Sequence, residues 1–455
     1  MARILIATTP AAGHVNPMVP FARELVNRGH TVWWYTGKVF QHQIKLLGAT
    51  YKPMHAAYDF GGMSREQAFP QTQGLQGVSA FIKTCKHIFI EQAPKQMEDI
   101  FRLLEKFPAD LLIGDDMCYG LGFVYEKTGI PLINISNSIY TYSSIDTAPI
   151  GLALPPDNSL LGRIRNIILH FLNDHLVLRE LKTYIDRTRT SVGLPKLNKR
   201  ILENMSQPPN LYLLGTVPEF EYPRSDLYEN THFVGAFISP PLEQFNPPAW
   251  WNDLDSNRPV VLVTQGTVAN YDLNALIVPT IRALAYEDVL VVATTGGASV
   301  ENIKLDPLPD NVRVEQFIPY HFLLPHVDVM VTNGGYGSIQ MALSNGAPVI
   351  VAGTTEEKPE IANRVAWAGV GIDLKTGTPS EKEIRSAVTT ILHQPSYKNK
   401  TRQLQANYQI YDAPQRAADL SEQLLEIKAQ RSPSFSQIAK LAEDQIEKAR
   451  MGIVN

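Results

Sequence analysis

The sequence predicts an α/β protein made of two doubly wound, Rossmann-like domains that face each other across a cleft. Three observations carry this expectation. Short apolar runs alternate with segments of helical period up to Ile135. The same rhythm restarts after a proline-rich stretch near residue 240. In each half, a glycine-containing loop directly follows an apolar strand. A chain of 455 residues is too long for one ordinary core, and its 44% hydrophobic and 19% charged composition is globular.

The elements follow in order. Arg3 to Thr9 reads as a first strand and Pro10 to Asn16 as a loop with Gly13 and His14. Pro17 to Arg28 reads as a helix, because Met18, Phe21, Ala22 and Leu25 share one face and Gly29 supplies a stop. Thr31 to Tyr35 is a second strand, which completes a βαβ unit with a right-handed connection. Residues 55 to 100 are less regular, with Gly61, Gly62, Gly74 and Gly77, and carry a helix around Ser79 to Leu104. Leu111 to Gly114 is a short buried strand with Asp115 and Asp116 at its end. A helix over Leu121 to Lys127 and a strand over Ile130 to Ile135 follow. Residues 160 to 187 read as a helix whose apolar side (Ile164, Ile167, Ile168, Phe171, Leu172 and Leu176) is expected to pack on the protein. Contact with a membrane surface is the second reading.

Tyr212 to Leu214 and Thr231 to Val234 are short strands, and Pro240, Pro241, Pro247 and Pro248 mark the domain boundary. Beyond it, strands are expected at Pro259 to Thr264, Val289 to Ala293, Val312 to Gln316, Val329 to Thr332 and Pro348 to Val351. Helices are expected at Leu273 to Leu284, Ser338 to Ser344 and Glu360 to Ala368. Asp412-Ala413-Pro414 opens a tail helix that runs to Ile427. Ser432 to Ser436 interrupts it before a last helix over Ile438 to Ala449. The expected division is residues 1–240, 241–405 and 406–455, the last being helices that pack back toward the first domain.

Composition narrows the function. A net charge of -4 is not that of a nucleic-acid-binding chain. Cys85 and Cys118 have no metal-ligand spacing and are expected as buried thiols. No His, Asp or Cys cluster suits a metal ion. The opening MARILIATTP lacks the pattern of a signal peptide, and no apolar run approaches the roughly 20 residues that span a bilayer. The expectation is a cytoplasmic enzyme, monomer or homodimer.

Two groups of residues carry a family likeness. One is Gly13-His14-Val15-Asn16-Pro17 with Arg28-Gly29-His30-Thr31-Val32. The other runs from Val329 to Gly371 and holds Asn333-Gly334-Gly335-Tyr336-Gly337-Ser338, Gly346-Ala347-Pro348, Glu357-Lys358-Pro359 and Ala362-Asn363-Arg364-Val365. With these the chain resembles the inverting glycosyltransferases of GT-B fold. It is most similar to the group that includes antibiotic, macrolide, plant secondary-metabolite and sterol glycosyltransferases. The resemblance covers nearly the whole chain. It implies transfer of a hexose from a nucleotide diphosphate sugar, UDP-glucose first, to a hydroxyl of a small acceptor. It implies no metal, and no cofactor beyond that co-substrate.

His14 suits the base that takes the acceptor's proton, because a free imidazole titrates near neutrality. The resemblance implies that role. A carboxylate must orient such a base. Asp115 and Asp116 both qualify, and the family's spacing to Gly129-Ile130-Pro131 points to Asp115. Asn333, Gly334, Gly335, Gly337 and Ser338 form a turn at a helix start, where backbone N–H groups and the helix dipole favour a diphosphate. The family opens this turn with histidine; here asparagine donates without adding charge. Phe317 stands where a tryptophan stacks on the base in relatives, with Ile318 beside it and Tyr320 at a base-contacting place. Met341 replaces the ribose-binding glutamate, with Gln340 next to it. Glu357-Lys358 replaces the Asp-Gln pair that grips the sugar. Gln265-Gly266-Thr267 resembles the loop that closes over the donor phosphates. Trp33, Trp34, Phe60, Phe81, His87, Phe89, Tyr140 and Tyr142 are candidate walls of a pocket for an apolar or aromatic acceptor. A nucleotide-sugar epimerase and a non-catalytic nucleotide-sugar-binding protein are the rival readings. A dinucleotide dehydrogenase is a poor fit, since the first turn lacks Gly-x-Gly-x-x-Gly.

Overall fold

The structure is a computed structural model that describes residues 1–72, 77–136, 138–197, 200, 206–238, 245–266, 270 and 272–431. Two parallel sheets organise it. The first has seven strands: β1 Arg3–Ala7, β2 Thr31–Thr36, β3 Thr50–Pro53, β4 Leu111–Asp115, β5 Leu132–Ser136, β6 Leu211–Leu214 and β7 Thr231–Phe233, ordered β3-β2-β1-β4-β5-β6-β7. The second has six: β8 Val260–Thr264, β9 Leu290–Thr294, β10 Val312–Glu315, β11 Val329–Thr332, β12 Val349–Val351 and β13 Gly371–Asp373, ordered β10-β9-β8-β11-β12-β13. Central strands such as β4, β5, β8 and β9 are buried on both faces, as parallel strands covered by helices must be.

In both sheets the chain order reverses beside the first strand. This happens between β1 and β4, where Ala7 pairs with Gly114, and between β8 and β11, where Thr264 pairs with Thr332. The strand ends at such a reversal open a crevice that helices do not fill. The fold therefore offers two crevices, one per sheet.

Packing ties the halves together. Ile139, Val217 and Phe220 belong to the same buried cluster as Leu262, Met330 and Ile361 of the second sheet. The helix Ala413–Arg431 lies on the helix Met18–Asn27, and its Ala413, Ala417 and Ala418 are buried with Ile4, Phe21 and Leu25. Small side chains there let the two helices approach closely. Arg28 fastens the same contact by ion pairs to Asp419 and Glu422.

Several sequence expectations change. The helix expected around Ser79 to Leu104 is three segments, Gly77–Thr84, a π-turn over Cys85–Ile90, and Ala93–Lys106. The helix expected over 160 to 187 is also broken, into Leu160–Leu172, a π-turn over Asn173–Val177, and Arg179–Ser191. Its apolar side does not pack: Ile164, Ile168 and Leu176 are exposed. Cys85 and Cys118 are buried free thiols. Gly74, Pro240, Pro241, Thr267 and the tail beyond Arg431, including Ser432 to Ser436 and Ile438 to Ala449, lie outside the described residues. Among the described residues there is no cluster of side chains that holds a metal ion, and no helix is long and apolar enough to cross a membrane.

Candidate active site

The first crevice holds a histidine–carboxylate pair. β1 ends at Ala7, and a single helical turn, Ala12–Val15, carries His14 toward the end of β4. There His14 Nδ1 lies 2.9 Å from Asp115 Oδ1. Asp115 is fully buried and accepts three more hydrogen bonds, from Thr9 N (2.7 Å), Thr9 Oγ1 (3.2 Å) and Met117 N (3.0 Å). A carboxylate oxygen accepting at this distance fixes the Nδ1–H tautomer, leaving the lone pair on Nε2. Burial alone would lower the His14 pKa. The charge of Asp115 and its hydrogen bond, with Asp116 and Glu357 further away, outweigh burial and raise it. Glu357 belongs to the second domain, so His14 already feels the opposite wall.

Asp116 is not the partner of His14. Tyr212 OH donates to its Oδ2 at 2.7 Å, which turns the carboxylate toward β6. Desolvation, with Asp115 adjacent, pushes its pKa up to about 6 despite the Tyr212 bond.

Phe89 stands 6.5 Å from His14 between ring centroids, and Tyr119 lies against Phe89 at 6.2 Å. Phe60 joins Tyr58 and Phe69 in an aromatic trio, and Phe81 is exposed on the neighbouring helix. His87 Nδ1 is 2.9 Å from Glu91, which also accepts from Tyr184 OH at 2.8 Å. Trp33 and Trp34 do not belong to this wall. Trp34 is core and donates to Thr8, while Trp33 stacks on Phe107 under Lys52, because alternate strand residues enter the two helix layers. Tyr140 and Tyr142 are buried with Tyr212 and line a small separate cavity beside Arg224 and Arg364.

The second crevice holds the glycine turn. Gly334 has φ +92°, and a Cβ there would sit 2.8 Å from Val351, so the position requires glycine. A Cβ on Gly353 would meet the Asn333 carbonyl oxygen at 2.0 Å, so the two loops touch backbone to backbone. The helix Tyr336–Ser344 starts at Gly335 with no side-chain cap, and space is open at Gly337. Its first N–H groups have no intrahelical partners, and an uncapped helix start is the arrangement an anion needs. Asn333 Nδ2 donates to the Gln265 carbonyl, which joins the ends of β11 and β8.

Lys358 crosses this turn. Its stem lies beside Gly334 and Gly353, and its ammonium bonds Thr355 at 3.1 Å and pairs with Glu356. Glu357 accepts from Ser138 Oγ at 3.3 Å, a bond between the two domains. Phe317 is exposed and leans on Gly297, so its face is open for stacking.

Four expected donor contacts are redirected. The Gln340 side chain is buried and accepts from Tyr408 OH, so it does not reach a ribose. Gln265 is pinned by Asp272 and Ile277, leaving only its backbone at the loop. Tyr320 points inward to Thr294, and the Ile318 side chain is core. Met341 packs against the second-domain core. The sequence reading missed Thr9, Ser138 and Asn270, whose amide bridges the carbonyls of Thr295 and Gly296. No short-range pattern marks these residues, because each partner is distant in the chain or on another loop.

Comparison with known proteins places this architecture. Residues 280–424 match the family model described as erythromycin biosynthesis protein CIII-like, C-terminal domain. The chain is 55% identical to 4'-demethylrebeccamycin synthase of Lentzea aerocolonigenes over 93% of its own length and 100% of that protein. It is 33% identical to UDP-glycosyltransferase 2 of Phaeomoniella chlamydospora, over 92% of this chain and 95% of that one. The solved glycotransferase of kitacinnamycin superposes with a TM-score of 0.72 at 22% identity, covering 93% of this chain and 98% of that one. Two facing Rossmann-like units with these relatives define a GT-B glycosyltransferase, an enzyme that draws on a nucleotide-sugar donor and a small acceptor. The chain belongs to the UDP-glycosyltransferase and macrolide glycosyltransferase family, among the natural-product enzymes.

Proposed function

We propose that the protein is an inverting hexosyltransferase that moves a sugar from UDP-glucose, or a close UDP-hexose, to a hydroxyl on a small, flat, apolar or aromatic acceptor. The observation that carries the reading is the His14–Asp115 pair at the end of β1 and β4. His14 Nε2 takes the hydroxyl proton as the acceptor oxygen bonds to the anomeric carbon. Asp115 stabilises the imidazolium. The bond from that carbon to the diphosphate breaks, and the diphosphate leaves with the electron pair toward the Asn333 to Ser338 turn. One displacement inverts the anomeric centre. Asp116, held by Tyr212, adds a second negative charge near the imidazolium without touching it.

On the donor side, Phe317 stacks on the base and Ser338 with the first N–H groups of its helix receives the diphosphate. Glu357 accepts from sugar hydroxyls. Lys358 supplies the positive charge that Asn333 lacks, since its stem already lies on the phosphate turn. The UDP choice draws support from the relative named as a UDP-glycosyltransferase. Phe89 and Tyr119 beside His14 favour a flat acceptor. The first domain, residues 1–240, then serves the acceptor, and 241–405 the donor.

The test is His14→Ala, with donor binding followed by thermal shift and the product's anomeric configuration read by NMR. Transfer should vanish while UDP-sugar still raises the melting temperature. Persistent transfer, or a retained α configuration from an α-linked donor, overturns the mechanism. Conversion of the sugar without any acceptor favours the epimerase instead.

A further inference from the structure

The helix Leu160–Leu172 is built inside out. Its buried positions are Gly162, Asn166 and His170. Asn166 donates to the Ile145 carbonyl at 3.0 Å, the His170 ring to that of Thr147 at 3.1 Å, and Arg163 pairs with Asp146 at 2.8 Å. The polar face thus holds the helix to the protein, and the apolar face looks outward. Leu161, Ile164, Ile168, Phe171, Leu172 and, across the π-turn, Leu176 form one stripe, each between 42% and 79% exposed. A stripe that regular is not scattered surface hydrophobicity.

Charge says what it meets. Residues 160–200 carry nine Lys and Arg against three Asp and Glu, in a chain whose net charge is -4; of these, Arg189 is buried on Glu126, and Arg163 and Arg200 pair with Asp146 and Asp174. Arg165 borders the stripe one turn from Leu161 and Ile168; its guanidinium donates to Asn166 Oδ1 at 3.0 and 3.2 Å and makes a loose 4.0 Å approach to Asp157. Arg179, Arg187 and Lys196 on the following segment are exposed and make no ion pair among the described residues. A two-fold contact between copies would set this positive rim against itself. An anionic lipid surface satisfies both features, since apolar side chains enter the acyl boundary and arginines meet the headgroups.

We propose that this face docks the enzyme on anionic membrane, with the helix Leu160–Leu172 lying in the plane of the interface. This goes beyond the transfer reaction and does not depend on its details. A helix held by polar bonds underneath needs no refolding to dock.

Flotation of the full chain with phosphatidylcholine vesicles containing about 30% phosphatidylglycerol, against phosphatidylcholine alone, tests it. The bound fraction should be about tenfold higher on the anionic vesicles and fall near 0.5 M salt. Ile164→Glu with Phe171→Glu, and separately Arg165→Glu with Arg179→Glu, should each abolish it. All four side chains leave the core untouched, so an unchanged melting temperature reports intact folding. Absent binding, binding equal on both vesicles, or binding that survives both variants overturns the proposal. So does a dimer in sedimentation that Ile164→Glu dissolves, which would assign the face to a second copy.

Discussion

His14 shows how few atoms set the chemistry. Its Nδ1 is committed to Asp115, and the resulting rise in pKa has a definite sign for activity. As the proposed base, His14 must be neutral to act, so the rate is lost as pH falls through the raised pKa. The acid limb of kcat/KM should therefore lie above the ~6.5 of a free histidine. Asp115→Asn should shift that limb downward and cut kcat by roughly 10²-fold or more, because the tautomer is no longer enforced. A pH–rate profile of both proteins checks this, and an unshifted limb would remove Asp115 from the mechanism. Lys358 makes the second residue-scale prediction. Lys358→Gln should weaken UDP binding by about tenfold, at ~1.4 kcal/mol for a charge-assisted contact, while free UMP loses less. Calorimetric titration of both nucleotides distinguishes a phosphate contact from a purely structural ion pair with Glu356.

At the scale of elements, the glycine turn and the helix behind it form one device. Gly334→Ala puts a methyl against Val351 in a backbone region that disfavours side chains, at a cost of about 1–3 kcal/mol. It should lower the melting temperature and remove the stabilisation that UDP confers. Gly337→Ala, where nothing lies within 4 Å of the added Cβ, should leave the melting temperature of the free protein unchanged. The long apolar strands and their loops were legible in the sequence because buried parallel strands read as apolar runs. β3 and β13 were not, since TYKP and GID carry no such run. The helix Glu381–His393 had a readable signal in Ser380 and Glu383, which form a capping box. His14, Asp115 and the glycine turn were legible because each follows a strand end. Gln340 and Gln265 misled because spacing along a helix or loop does not say which way an amide turns. Tyr408, 68 residues from Gln340, decides that.

At the scale of the molecule, the domains meet through charge as well as apolar packing. Arg364 Nε lies 2.6 Å from Glu221 and its Nη1 3.3 Å from Glu360, all fully or nearly buried. Glu360 also accepts from the backbone of Gly151 and Ala153 at 2.8 Å each. Burial opposes ionisation of Glu221, but Arg364 and Arg224 prevail and hold its pKa below the usual carboxylate range. A depressed carboxylate contributes stability that is present above its unfolded pKa and lost as pH falls through the folded one. Acid should thus loosen the domain contact once pH falls below the usual carboxylate range. Glu221→Gln should cost about 3–5 kcal/mol by taking the ion pair from buried Arg224 and leaving Arg364 with Glu360 alone, and its melting temperature should converge on that of the parent protein in acid.

The closing helix carries a practical lesson for recombination. Ala413, Ala417 and Ala418 belong to the first domain's core although they follow the whole second sheet in the chain. A hybrid enzyme assembled from this protein and a relative by one splice near residue 240 would pair each front half with a foreign strap. Two splices, the second ahead of Ala413, keep Arg28 with Asp419 and Glu422 from the same parent. An interchangeable front module of this protein is therefore bipartite, a head and a tail that must travel together.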